Sequence, residues 1–340
     1  WLVGYIGTSI VVGSLVFSVP VRADSYPYMH GMSYLEPLKY AADFQQFDYV
    51  NSLAPTGGTL RFPELGTFDN FNFMVDKGRR AFASEILGIR TFTTDSLMQA
   101  SYDEPASFYG RLADGVWISD DYKEFAFRIR AEALWHDGSP LTVDDVVFSF
   151  NHYRSKGNAG IRTALQDLAE VKKISDNEVY FAVKDTAEGN PILPFAVAQF
   201  AIQSERYWSN LDPTKTTIVP PLGSGPYKVK DFVLGRYVTY ERVDDYWGKD
   251  IPSMRGRHNF DYLKCDYYRD ESIMVESIKA DVIDVRHESV SKQWMTQYNF
   301  PAVDMGYFNR ELVYLDRPWG MWWLIIWNLD NQPLDDVRIR

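Results

Sequence analysis

Residues 135–150, WHDGSPLTVDDVVFSF, constrain this chain more than any other stretch. His136-Asp137-Gly138-Ser139-Pro140 is turn chemistry. Thr142 follows, with Asp145 three residues on, which is the spacing of a helix N-terminal capping box. Val143, Val146, Val147, Phe150 and Tyr153 then recur at helical spacing. The pattern predicts a helix over 142–154 with one face in the core. His152 lies within it and reads as structural. Upstream, residues 125–130 alternate apolar positions with others, the period of a strand.

The 340 residues suit about two domains of ordinary size. A hydrophobic content of 46% is enough to build real cores. Acidic residues outnumber basic ones 46 to 35, a net charge of −11, which argues against nucleic acid or an anionic membrane surface as partner. Aromatic residues reach 16%. That excess suits ligand capture by stacking, or equally a large aromatic core. The lone cysteine, Cys265, sits in a strand-like run at 262–268 and reads as a buried, inert thiol.

The chemistry of catalysis is not legible. The five histidines are scattered, without His-Glu-x-x-His or a Cys/His cluster, so neither metal nor cofactor is expected. No Gly-x-Ser-x-Gly elbow supports a hydrolase serine. Adjacent carboxylates such as Asp144-Asp145 and Asp244-Asp245 point apart on a helix. The expectation is a protein that is not an enzyme.

Residues 2–17 are mostly apolar and no charge precedes Arg22. Residues 1–23 read as a secretory signal cleaved after Ala23, with a retained membrane anchor as the alternative. Residues 24–56 read as an irregular arm. Gly57-Gly58 turns into a first core strand, and the polar and aromatic loop 66–73 follows it. Residues 84–91 and 95–100 have helical character. Hairpins are predicted at 171–183 and 227–243, and a strand-helix-strand unit with parallel pairing at 262–286. Gly223-Ser224-Gly225 is a backbone turn, since it lacks the Lys and Ser/Thr of a phosphate-binding loop.

Several blocks now stand in one order: GGTLRF (57–62), DSLMQASYDEPASFYGRLADG (95–115), WHDGSPLTVDDVVFSF (135–150), GSGPYKVKDF (223–232), DDYWGKD (244–250) and NLDNQPLDDVRIR (328–340). Together they resemble the family 5 solute-binding proteins of peptide ABC importers. PLKYAADFQQFDYVN (37–51), the DEPASFYG loop and YNFPAV (298–303) are most similar to the Yej-type oligopeptide binders of Gram-negative periplasms. The resemblance spans about residues 34–340.

The resemblance implies a bilobal α/β fold of the type II periplasmic-binding-protein kind, closing on its ligand at a hinge. It implies a first lobe from 24–73 and 191–275, an inserted subdomain at 74–190, and a second lobe from 276. That lobe is expected to be truncated at Arg340, because the family's N-x-x-x-x-P-x-x-D-x-R-x-R motif lies well inside it. An isolated 24–340 fragment is therefore expected to be unstable, with residues 319–327 as an exposed apolar patch. The implied protein is a periplasmic monomer that captures oligopeptides for ABC permease subunits in the inner membrane. A non-peptide solute, metal chelate or opine, is the alternative, and a secreted carbohydrate-active enzyme a more remote one. The expected ligand contacts are Thr67, Phe68, Asp69, Asn70 and Phe71 on the loop after the first strand, with Tyr102, Trp322 and Trp323. Adjacent strand residues face opposite ways, so one of the two tryptophans is expected at ligand, unless both are core.

Overall fold

The computed structural model describes residues 26–81, 92–185 and 189–312. The signal segment, the helical run at 84–91, the patch at 319–327, Trp322, Trp323 and the 328–340 motif lie outside the described residues.

Among the described residues, three sheets carry the fold. A four-stranded sheet has the order β2 (Thr59–Leu65), β11 (Tyr262–Tyr268), β10 (Tyr237–Arg242), β9 (Tyr227–Val233). Its β9–β10 hairpin follows from the predicted turn at Gly235, whose φ of 72° favours glycine. The β2–β11 pair is parallel and joins residues 203 positions apart, Thr59 with Tyr262. A second antiparallel sheet has the order β5 (Ala113–Ile118), β6 (Glu124–Ile129), β8 (Glu178–Val183), β7 (Leu168–Lys173). A small third sheet joins β1 (Gly31–Ser33), β4 (Ser107–Gly110) and β3 (Met98–Ala100).

The predicted helix is α1 (Val143–Lys156), packed on β7 and β8. The Asp145 carboxylate accepts the Thr142 backbone N–H at 2.9 Å, fixing the helix start. Val143, Val146, Phe150 and Tyr153 are buried. Phe150 meets Phe181 edge-on at 5.1 Å, and Phe181 stacks on Phe125 at 5.0 Å. His152 Nδ1 pairs with Gln203 Oε1 at 2.7 Å, the structural role expected of it.

Two expectations fail. Residues 95–100 are not helical: Met98–Ala100 is strand β3, because Gln99 and Ala100 pair with Tyr109 and Phe108. Residues 282–285 do not form a strand. Asp284 N–H bonds Arg61 O, but Arg61 N–H answers to the Asp284 carboxylate instead of a carbonyl. The parallel partner of β11 is β2, on the other side of the chain.

The sheets meet at a buried polar junction. Asp95 and Arg111 are 0% and 1% exposed. Asp95 Oδ1 accepts from Arg111 Nε and from the Tyr246 hydroxyl, both at 2.7 Å, and Oδ2 accepts from Trp247 Nε1 at 3.0 Å. The Gly223-Ser224-Gly225 turn interlocks beside it. Ser224 and Gly225 both donate their N–H to Thr93 O at 3.1 Å, and a Cβ on Gly223 would lie 1.7 Å from that oxygen. The glycines are there for backbone approach, as the sequence implied.

His136 caps this junction, pairing its Nε2 with Gly225 O at 2.8 Å. Burial lowers its pKa, and burial likewise lowers those of His152 and His258 below 6.5. A folded-state pKa below the unfolded value means that the unfolded chain binds more protons in that window. Stability is then present above about pH 6.5 and lost on acidification. We expect the melting temperature to fall steadily from about pH 7 to pH 5. A melting temperature that stays flat or rises over that range would contradict neutral buried histidines.

Candidate functional site

The loop after β2 is held as a rigid wall. Gly66, at φ 106°, turns the chain out of the strand, and its N–H bonds Tyr268 O at 2.6 Å. Phe68 then drops into the core beneath, 1% exposed, with its ring 4.9 Å from Tyr267 and 5.8 Å from Phe71. Phe71 is half-buried and meets Phe232 edge-on at 5.0 Å.

Asn70 is fully buried and acts as the pin. Its Oδ1 accepts from Asn72 N–H at 2.8 Å and Thr217 N–H at 2.9 Å. Its Nδ2 donates to Asn72 O at 2.9 Å and Lys77 O at 3.3 Å. Both donors and both acceptor positions of the amide are used. Asn72, 1% exposed, extends the stitching: its Nδ2 reaches Pro213 O and Lys215 O at 2.9 and 2.8 Å. The loop is thereby locked to residues 213–217, whose continuation presents Ile218 and Val219, each about half exposed.

Asp69 stands exposed at the rim. Its Oδ1 accepts the Arg79 backbone N–H at 2.6 Å, and its own N–H bonds Arg79 O. Gly78 makes that approach possible, since a Cβ there would lie 2.6 Å from Asp69 Oδ1. Thr67 is exposed next to the hairpin glycine Gly235. The surface offered outward is thus Thr67, Asp69 and one edge of Phe71, with Phe68 and Asn70 as supports beneath.

Tyr102 belongs to a different patch. It is about half exposed, with its ring 5.7 Å from Tyr49 and the Arg257 guanidinium 5.4 Å above it. Its N–H donates to the Tyr49 hydroxyl at 3.4 Å. Burial pushes the Tyr49 phenol up to about 12, so it stays neutral. No described hydrogen bond or ring contact joins Tyr102 to the 67–71 loop. Asn72 and Thr217 are the residues that sequence reasoning missed. Asn-x-Asn between phenylalanines was the available local signal for the first, and nothing local announced the second.

Among the described residues, no group of three or more His, Cys, Asp and Glu side chains is placed to hold a metal ion. No helix among them is long and apolar enough to cross a membrane. The arrangement offers a preorganised polar and aromatic wall, suited to gripping a solute by hydrogen bonds and ring contact.

Comparison with known proteins bears on the fold. The chain is 34% identical over 98% of its length to an uncharacterised protein, y4wM, of Sinorhizobium fredii. It is 34% identical over 91% of its length to a probable peptide-binding protein, YejA, of Agrobacterium fabrum. In each case the match covers 50% of the relative, so the chain spans about half the length of the curated relatives it matches. Among solved structures it resembles the oligopeptide-binding protein AppA of Bacillus subtilis, in complex with a nonapeptide. The TM-score is 0.58 at 24% identity, over 72% of this chain and 47% of that one. The fold is therefore the α/β fold of the periplasmic binding proteins. The model of the bacterial extracellular solute-binding proteins, family 5, matches residues 107–340, more than half of the sequence, and the chain belongs to that family.

Proposed function

We propose that the protein is the periplasmic substrate-binding subunit of an ABC importer, capturing oligopeptides and handing them to inner-membrane permease subunits. The likeness to a probable peptide-binding protein over nearly the whole chain carries this reading. The lobes would be drawn from 24–73 with 191–275, from an inserted 74–190, and from 276 onward. The 67–71 loop would form one wall of the cleft. An extended peptide is held mainly through its backbone, which leaves side-chain pockets loose and tolerant of sequence. Asp69 would take a peptide amine or amide, while Thr67 and Phe71 border the chain. Tyr102 would add an aromatic contact further along, and either Trp322 or Trp323 would answer from the second lobe. Ligand would bias lobe closure only through its preference for the closed state.

The test is calorimetric titration of the intact protein with a panel of peptides of graded length, an opine, and a metal chelate. Saturable binding of peptides alone supports the reading; binding of the opine or chelate alone overturns it. Within that assay, Asp69→Ala, Phe71→Ala and Tyr102→Ala should each weaken peptide binding by ~1–3 kcal/mol where the side chain meets ligand. Parent-like affinity in all three folded variants would remove the wall from this place.

A further inference from the structure

A separate cavity on the second sheet's layer collects positive charge in an acidic protein. It has a volume of about 580 Å³ and opens to solvent between the end of α1, the short helix α2 (Ala159–Ala164) and the segment after β8. Arg154, Arg162 and Lys184 line it, together with Asn151 and Gln166 over a floor that includes Leu165. No carboxylate lines it, although the chain carries 46 acidic residues against 35 basic.

The three cations come from three elements that the fold fixes independently. Leu165 is 1% exposed and part of the main core. Arg162 is oriented by donating from Nη1 to Gly157 O, the residue that caps α1. Lys184 is placed by its backbone N–H, which bonds Asp167 O at 2.8 Å. Asp185, next to Lys184, is exposed and does not line the cavity, and Asp167, next to Gln166, is engaged elsewhere, accepting from Asn190 Nδ2 at 2.7 Å. Among the described residues the charged ends of Arg154 and Lys184 have no ion-pair or hydrogen-bond partner. Guanidinium groups offer paired N–H donors that match phosphate oxygens, and three positive charges suit a dianion better than a single carboxylate.

We propose that this cavity is a binding site for a phosphate group, separate from the solute wall. Arg154 and Lys184 supply the charge, Arg162 adds donors from its fixed guanidinium, and the amides of Asn151 and Gln166 complete the coordination. The phosphate comes either from a soluble phosphomonoester or from a phospholipid headgroup, and the chemistry recognised is the same.

Titration of the full chain with inorganic phosphate tests this. The parent should bind saturably. The double variant Arg154→Gln/Lys184→Gln should bind at least about tenfold more weakly, equivalent to 1.4 kcal/mol. Lys156→Gln, on the same helix but outside the cavity, should bind like the parent. Sedimentation with phosphatidylglycerol and phosphatidylcholine vesicles separates the sources. Pelleting with the former, abolished in the double variant, identifies a lipid phosphate, whereas phosphate binding without pelleting identifies a soluble one. The proposal is overturned if the parent shows no saturable phosphate binding. It is also overturned if the folded double variant binds as the parent does, or if Lys156→Gln weakens binding equally.

Discussion

Replacing Asp95 by alanine is expected to lower the unfolding free energy by about 3–5 kcal/mol, the usual cost of leaving one member of a buried ion pair uncompensated. The junction around it is unusually concentrated. One carboxylate, 0% exposed, receives Arg111, Tyr246 and Trp247. Its backbone N–H also donates to the Ser224 hydroxyl oxygen at 3.0 Å. Removal takes the opposite charge from the Arg111 guanidinium, itself 1% exposed, and leaves the Tyr246 hydroxyl without its acceptor, while Trp247 Nε1 keeps Ser224 O at 3.1 Å. Asp95→Asn keeps oxygen and shape but loses the charge, so it should fall between parent and alanine. Arg111→Ala should cost as much as Asp95→Ala, and the double variant less than the sum, because the two act as one unit. Urea unfolding followed by tryptophan fluorescence reads these values. A loss under about 1 kcal/mol for Asp95→Ala would mean that the junction is solvated and does not tie the sheets together.

The parts of this molecule that sequence displayed are those written in local code. α1 announced itself through Thr142, Asp145 and a five-residue apolar face, and β9–β10 through alternation around Gly235. Residues 95–100 misled for a physical reason. Leu97, Met98, Gln99 and Ala100 all favour helix in isolation. Pairing with Tyr109 and Phe108, about ten residues away, outweighs a preference of a few tenths of a kcal/mol per residue. Residues 282–285 misled in the opposite sense: Val282, Ile283 and Val285 have strand composition, but beside β2 the Asp284 carboxylate, in place of a carbonyl, takes the Arg61 N–H, so no ladder forms. The proposed solute wall was half visible. Polar and aromatic residues after a first strand marked the loop, yet alternation could not say which side chains turn inward. That is decided by Thr217 and residues 213–215, more than 140 positions along the chain.

That long-range stitching yields the sharpest functional test. Asn70→Ala deletes four hydrogen bonds at a fully buried position and leaves the Asn72 N–H and Thr217 N–H without an acceptor. Each buried group left unsatisfied costs about 1–3 kcal/mol, so a stability loss of about 2 kcal/mol or more is expected. The consequence for binding is separable. With the pin gone, residues 67–71 and 213–217 are joined only through Phe71 N–H to Thr217 O and the Asn72 amide, so the wall is held less rigidly. A preorganised wall converted into a mobile one must be ordered by the ligand, and that ordering is subtracted from affinity. Peptide affinity should fall at least about tenfold in the intact variant, at a temperature where circular dichroism shows it folded. Asn70→Asp sharpens the result. It retains Oδ1 for Asn72 and Thr217 but turns a carboxylate oxygen toward Asn72 O and Lys77 O, so it should be nearly as damaging as alanine. If Asn70→Ala loses stability as stated while its peptide affinity stays within twofold of the parent, the loop is a structural seam only, and the ligand wall lies elsewhere in the protein.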